Sequence, residues 1–166
     1  GFFGVDPNAV ILTSGGTEAL HLALNGADAT LRLVGATEHP AVLEAAPEAA
    51  RIGVDSDGRV LLPAIPEGAL VAIQHANNET GVVQDLAAIA REVHAAGARL
   101  VADCVQSAGK LPLPPADFIA VSAHKLGGPA GAGALIVRCR DGFRATQKGG
   151  GQEQGYRGGT PNLLGA

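Results

Sequence analysis

Methionine and tryptophan are absent from this sequence, and aromatic residues make up only 3% of it. Without any methionine, the chain does not open on a retained initiator residue. Cysteine is nearly absent too. Cys104 and Cys139 are too few for a secreted disulfide framework, and neither sits in a C-x-x-C pair. No apolar run approaches the ~20 residues of a membrane-spanning helix, and no basic-then-apolar signal stretch opens the chain. Positive charge is not in excess: the net charge of −4 gives no reason to expect nucleic acid or an anionic membrane as partner. His21, His39, His75, His94 and His124 show no short paired-ligand spacing, so no metal site is expected. These absences leave a cytoplasmic protein as the default reading.

What is present is glycine, at 24 residues, set among runs of Val, Ile, Leu and Ala. The runs at 10–12, 31–36, 70–74, 100–102, 118–122 and 134–137 mostly lack strict alternation, as strands covered on both faces do. Helical patterns lie between them: 17–25 with Gly26 as a stop, 40–46, and 86–96 after Asp85 and before Gly97. Residues 51–66 read as a strand, a turn at Asp55-Ser56-Asp57-Gly58 and a second short extended piece. Alternation of this kind predicts one α/β domain over residues 1–166, with three layers and a mainly parallel sheet carrying helices on both faces. Thr160-Pro161 reads as the cap and first residue of a helix starting at 162–164. We therefore expect a piece of a longer protein, cut at both ends, without its N-terminal segment and a small C-terminal domain.

In open α/β sheets, ligands sit beyond the carboxyl ends of the strands. Four unusual polar groups fall at predicted strand exits: Thr13–Thr17, His75–Glu79, Asp103 to Gln106, and Ser122–Lys125. A lysine such as Lys125, leaving a buried strand, can be desolvated toward the neutral amine that forms a Schiff base, although most lysines are solvated surface residues. Asp103 ends an apolar run and so needs a partner. A pyridinium nitrogen would suit it, and so would service as a helix N-cap. Gly15-Gly16-Thr17 opens an apolar-periodic helix whose free N–H groups suit an anion, or form only a cap. His39, just before Pro40, could stack on a flat cofactor or act as a local hydrogen-bonding residue. The glycine-dense stretch from Gly149 to Thr160 is either a linker or a backbone-rich anion loop that reaches across a dimer interface. Neither a nucleotide P-loop nor a complete dinucleotide fingerprint is present, which argues against a nicotinamide-binding domain.

Taken in order, T-S-G-G-T-E, E-H-P-A-V, H-A-N-N-E-T-G-V-V-Q-D, D-C-V-Q-S-A-G-K-L-P, S-A-H-K-L-G-G-P-A-G-A-G-A-L and G-G-G-Q-E-Q-G-Y-R-G-G-T resemble the motifs of class V aminotransferase-type enzymes, and cysteine desulfurases most closely. That resemblance covers nearly the whole chain and implies a fold type I enzyme using pyridoxal 5'-phosphate. It implies that Lys125 holds the cofactor as a Schiff base, Asp103 pairs with the pyridine nitrogen, Gln106 bonds the ring oxygen and His39 stacks on the ring. Gly16, Thr17, Ser122 and His124 would bind the phosphate, and Asn78 would lie near ring and substrate. Thr160 would reach the phosphate of a neighbouring subunit, implying a homodimer. Lys125, His39 and Asp103 form the implied catalytic set. The implied reaction takes sulfur from L-cysteine, giving alanine and a persulfide that a sulfur-acceptor protein could receive. The resemblance puts the persulfide cysteine and the substrate-carboxylate arginine beyond residue 166, and Cys104 reads instead as a buried structural thiol. Gln152 and Gly158 stand where the family commonly has His and Ser. Other class V activities (selenocysteine lyase, aminotransferase, epimerase) and a catalytically incomplete core that only binds cofactor or a partner are the alternatives.

Overall fold

The apolar runs pair into one sheet whose central strands are shielded on both faces. The structure, a computed structural model, describes residues 3–162 and 165. Its seven strands are β1 (Val10–Thr13), β2 (Arg32–Gly35), β3 (Ala50–Ile52), β4 (Leu70–Gln74), β5 (Arg99–Asp103), β6 (Phe118–Ser122) and β7 (Gly133–Val137). They lie in the order β1-β7-β6-β5-β4-β2-β3. Pairings from β3 through β6 are parallel, while β7 runs antiparallel to both β6 and β1. Every strand except β7 therefore points the same way, and their carboxyl ends share one edge. This is the mainly parallel sheet expected from the sequence. Each residue of β4 and β6 is buried, which explains why these runs lack a polar alternation.

Helices α1 (Gly16–Gly26) and α2 (Pro40–Ala45) contribute to an apolar cluster on one face, and α3 (Leu86–Ala95) to a cluster on the other. The first cluster holds Leu20, Leu24, Val42, Leu70 and Phe118; the second holds Ile73, Leu86, Val93, Leu100 and Ile119. The few aromatics are concentrated. The Phe118 ring lies 5.3 Å from Phe143, which stacks on Tyr156 at 5.4 Å.

Local chemistry explains the boundaries. Asp85 caps α3 by accepting the Ala88 N–H at 3.0 Å. At its far end, Gly97 takes φ +68°, and the N–H groups of Gly97 and Ala98 return to the carbonyls of His94 and Val93. Helix α1 ends at Gly26 as expected, although the φ of Gly26 is not in the left-handed region. A Cβ there would lie 2.5 Å from the Arg144 carbonyl oxygen and 2.8 Å from Phe143 Cε2, so glycine is needed for close packing. Residues 51–66 keep the expected turn, in which Asp55 accepts the N–H groups of Asp57 and Arg59. Their second extended piece forms only a single bridge, Val54 to Val60, because Pro63 and Pro66 cannot donate to a ladder. The expected helix at 162–164 falls on residues 163 and 164, outside the described set; Thr160 and Pro161 are not helical. Among the described residues, no helix is long and apolar enough to cross a membrane.

Candidate active site

Five strand exits on the common edge converge on a cavity of about 260 Å³. After β1 come Gly16 and Thr17; after β2, His39; at and after β4, Gln74 and Asn78; at and after β5, Asp103 and Gln106; at and after β6, Ser122, His124 and Lys125. All of these residues except Gln74 are sequence candidates, brought together from separate stretches of chain. Thr160 is exposed and does not line the cavity.

The start of α1 is built as a donor. Gly15 provides no side-chain cap, and the N–H groups of Gly16, Thr17 and Glu18 make no hydrogen bond to any described residue. Glu18 instead turns back to accept the Ser14 N–H at 2.6 Å and pairs with Arg157, whose Nε lies 2.6 Å from Oε1. Burial pushes the Glu18 carboxyl up, but Arg157 and Ser14 outweigh it and hold the group below its usual value. Through Arg157, the glycine-dense segment is anchored to the start of α1. Glu153 anchors it again by accepting the Leu12 N–H at 2.7 Å. The linker reading of this segment therefore fails, since it is docked on its own chain.

Asp103 closes β5 opposite Gln74 in the register of β4. Its Oδ1 accepts the Val105 N–H at 2.9 Å, while Oδ2 accepts nothing from the described residues. The side chain is thus both a turn cap and a buried carboxylate with an open oxygen. Burial raises its pKa, and neither the Val105 bond nor the nearby His39 fully offsets that. His39 caps α2, its Nδ1 accepting the Ala41 N–H at 3.0 Å, which is the local hydrogen-bonding role, and its ring borders the cavity. Ser122 Oγ lies 3.0 Å from His124 Nδ1.

Lys125 corrects one expectation. It is exposed rather than desolvated, because a short 3-10 turn, Ala123–Lys125, carries it past the end of β6. Its amine makes no hydrogen bond or ion pair with a described residue.

Gln74 was legible only as a polar residue closing an apolar run. Its Nε2 donates to the Thr37 carbonyl at 2.7 Å and its backbone N–H donates to Glu38 Oε1 at 2.8 Å. Glu38 is 5% exposed, and burial followed by the charge of Asp103 keeps its pKa well above the usual carboxylate value, against the Gln74 bond. A carboxyl whose folded pKa is raised binds its proton more tightly in the folded state. Folding stability should therefore fall as pH rises from the ordinary glutamate value through the folded one. The charged group that bears on Glu38 in this respect is Asp103. Urea unfolding at a series of pH values should show this slope, and Glu38→Gln should flatten it; an unchanged slope would contradict the assignment.

The two thiols separate as well. Burial pushes Cys104 up to about 12, and the neighbouring His75, 4.0 Å away, is itself held toward the neutral form by burial. Iodoacetamide added to the folded chain should label the half-buried Cys139 and leave Cys104 unmodified until urea unfolds it. Native labelling of Cys104 at a comparable rate would overturn this.

Against known proteins, the Aminotransferase class-V family matches residues 1–166. A cysteine desulfurase of Frankia sp. (strain EuIK1) is 40% identical over 98% of this chain and 46% of its own length. The cysteine desulfurase IscS of Anaeromyxobacter sp. (strain Fw109-5) is 41% identical over the same shares. Among solved structures, DndA from Streptomyces lividans superposes with a TM-score of 0.86 at 32% identity, covering 96% of this chain and 53% of its own. SspA in complex with cysteine gives 0.87 at 28% identity, covering 97% and 53%. The chain spans about half the length of the relatives it matches.

Proposed function

Because this chain belongs to the class V aminotransferase family, we propose that it forms the pyridoxal-phosphate-binding core of a cysteine desulfurase-like enzyme acting on an amino-acid substrate. One observation carries the reading: a single cavity gathers an uncapped helix start, a buried carboxylate with an open oxygen and an unpaired lysine amine.

These residues suit that cofactor chemically. The free N–H groups at Gly16 and Thr17, with Ser122 and His124 beside them, would receive the phosphate. Asp103 would face a protonated ring nitrogen. A cation there would oppose the burial that raises the Asp103 pKa, and the carboxylate would hold the proton on the ring. His39 would stack on the ring face, Gln106 would bond its oxygen, and Asn78 would lie near ring and substrate. When bound, pyridoxal phosphate supplies an electron sink for the substrate's α-carbon. Lys125 would hold the cofactor through Nζ and, once displaced by substrate, would move a proton at that nitrogen. Thr160, exposed and off the cavity, would serve the phosphate site of a second subunit in a homodimer. Cysteine as substrate, and transfer of its sulfur onward, rests on the similarity to the desulfurases. Cys104 is buried against the role of sulfur carrier.

The test is to add pyridoxal phosphate, reduce with borohydride and map the modified peptide by mass spectrometry. The expected result is an adduct on Lys125, one of three lysines in the chain. A folded chain that takes up no adduct sinks the proposal. Supplying L-cysteine and measuring alanine and sulfide then separates a working desulfurase from a core that only holds the cofactor.

A further inference from the structure

Glu38 has no part in the chemistry proposed above, yet it is buried directly behind the cavity. It lies in the turn between β2 and α2, one residue before His39. Its Oε1 accepts the backbone N–H of Gln74 at 2.8 Å, and its Oε2 is fully buried with no hydrogen-bond partner among the described residues. A carboxyl group in that state is unusual, since an unpartnered buried oxygen is costly unless something else is gained.

The surroundings show what is gained. Gly35, the last residue of β2, has no room for a side chain, because a Cβ would lie 2.5 Å from Glu38 Oε1. The missing side chain is the space into which Glu38 folds. Gln74 is clasped from both sides: its N–H by Glu38, and its side-chain amide by the Thr37 carbonyl at 2.7 Å and the Thr37 hydroxyl at 3.1 Å. Asn77 extends the clasp, donating to the Thr37 carbonyl at 3.1 Å and to Gln74 Oε1 at 3.3 Å. Gln74 in turn stands opposite Asp103 in the sheet. Thr37 and Glu38 thus pin the turn to the end of β4, and His39 follows at once, leading into α2.

We propose that Glu38 is a positioning residue for the ring site, holding the His39-bearing turn against β4 by accepting the Gln74 N–H. What the Gln74 N–H requires of Glu38 is an acceptor oxygen, and burial beside Asp103 raises the carboxyl's pKa well above its usual value. Glutamine can then replace it, whereas leucine, of similar size but without an acceptor, leaves the Gln74 N–H orphaned. The residue acts through His39 and touches neither substrate nor cofactor. Its bearing on the ring rests on the reading of the cavity given above.

The experiment compares the 166-residue chain with Glu38→Gln and Glu38→Leu by two-dimensional NMR, following the Gln74 amide and the His39 ring, and by titration with pyridoxal phosphate. In Glu38→Gln, Gln74 exchange protection and the His39 resonances should remain as in the parent, with cofactor affinity within about twofold, since the hydrogen bond survives. In Glu38→Leu, the amide should lose protection, the His39 signals should move, and affinity should fall about tenfold, as one buried donor left unpaired predicts. Unmoved His39 signals in Glu38→Leu would overturn the proposal. So would the same losses in Glu38→Gln, a comparison that still decides the matter if the leucine variant does not fold. Should the parent chain itself take up no cofactor, the reading of the cavity fails, while the Gln74 and His39 signals still test Glu38.

Discussion

Replacing Lys125 with alanine is expected to abolish the borohydride-stable adduct completely and leave the folding free energy within about 0.5 kcal/mol of the parent. The two halves of that result have separate causes. Lys125 is exposed and its amine makes no hydrogen bond or ion pair with a described residue, so its removal costs the fold almost nothing. Covalent attachment needs a free primary amine at the cavity. Of the other two lysines, Lys110 donates to the Gln106 carbonyl at 2.8 Å, and neither it nor Lys148 lines the cavity. Neither can substitute. Mass mapping after reduction, alongside a urea unfolding curve, reads both halves. An adduct that persists at another lysine would show that simple amine reactivity, rather than the cavity, selects the site.

The largest effect on stability is expected at Gly133, where β7 begins beside the exits of β1 and β6. A Cβ at this position would lie 2.6 Å from Gly15 Cα, 2.8 Å from Gly15 C and 2.8 Å from the Val121 carbonyl oxygen. All three neighbours are backbone, so no side chain can swing aside. Gly133 pairs with Thr13 on one side and Ser122 on the other. Inserting even a methyl group must push apart the segments that carry Gly16, Thr17 and Ser122. Gly133→Ala should cost about 3 kcal/mol, at the upper end of ordinary overpacking, and lower the adduct yield at Lys125 as well. Gly53 serves as the control, because nothing lies within 4 Å of an added Cβ there. Gly53→Ala should stay within about 0.5 kcal/mol. If thermal or urea unfolding gave the same midpoint for both variants, the tight contact at Gly133 would be refuted.

Both predictions depend on how the strand ends are brought together, and this is where sequence and structure divide the work. Continuous apolar runs at 70–74 and 118–122 announced buried strands, because residues covered on both faces have no reason to alternate. Asp85 and Gly97 announced the limits of α3, because capping is local chemistry between residues near in sequence. The same local logic found the end of α1 at Gly26 but misled about why glycine stands there, which is set by Phe143 and Arg144, over a hundred positions away in the chain. It also misled at Lys125, where a turn past the strand end decides exposure.

The polar clusters at strand exits could be picked out from sequence, since ligand sites in such sheets gather there. That they meet in one cavity depends on β1 through β6 pointing the same way with β7 reversed, which only the pairing of the strands decides. Glu38 and Gln74 were invisible as a pair, because nothing in 36 residues of separation says that a carboxyl of one turn will accept the N–H of another strand. The sequence by itself determined the elements, their caps and the types of residue offered to chemistry, all of which follow from short-range backbone and solvation preferences. The tertiary structure alone decided which of those residues face one another, which are buried and which oxygen is left without a partner, because these depend on contacts between distant parts of the chain.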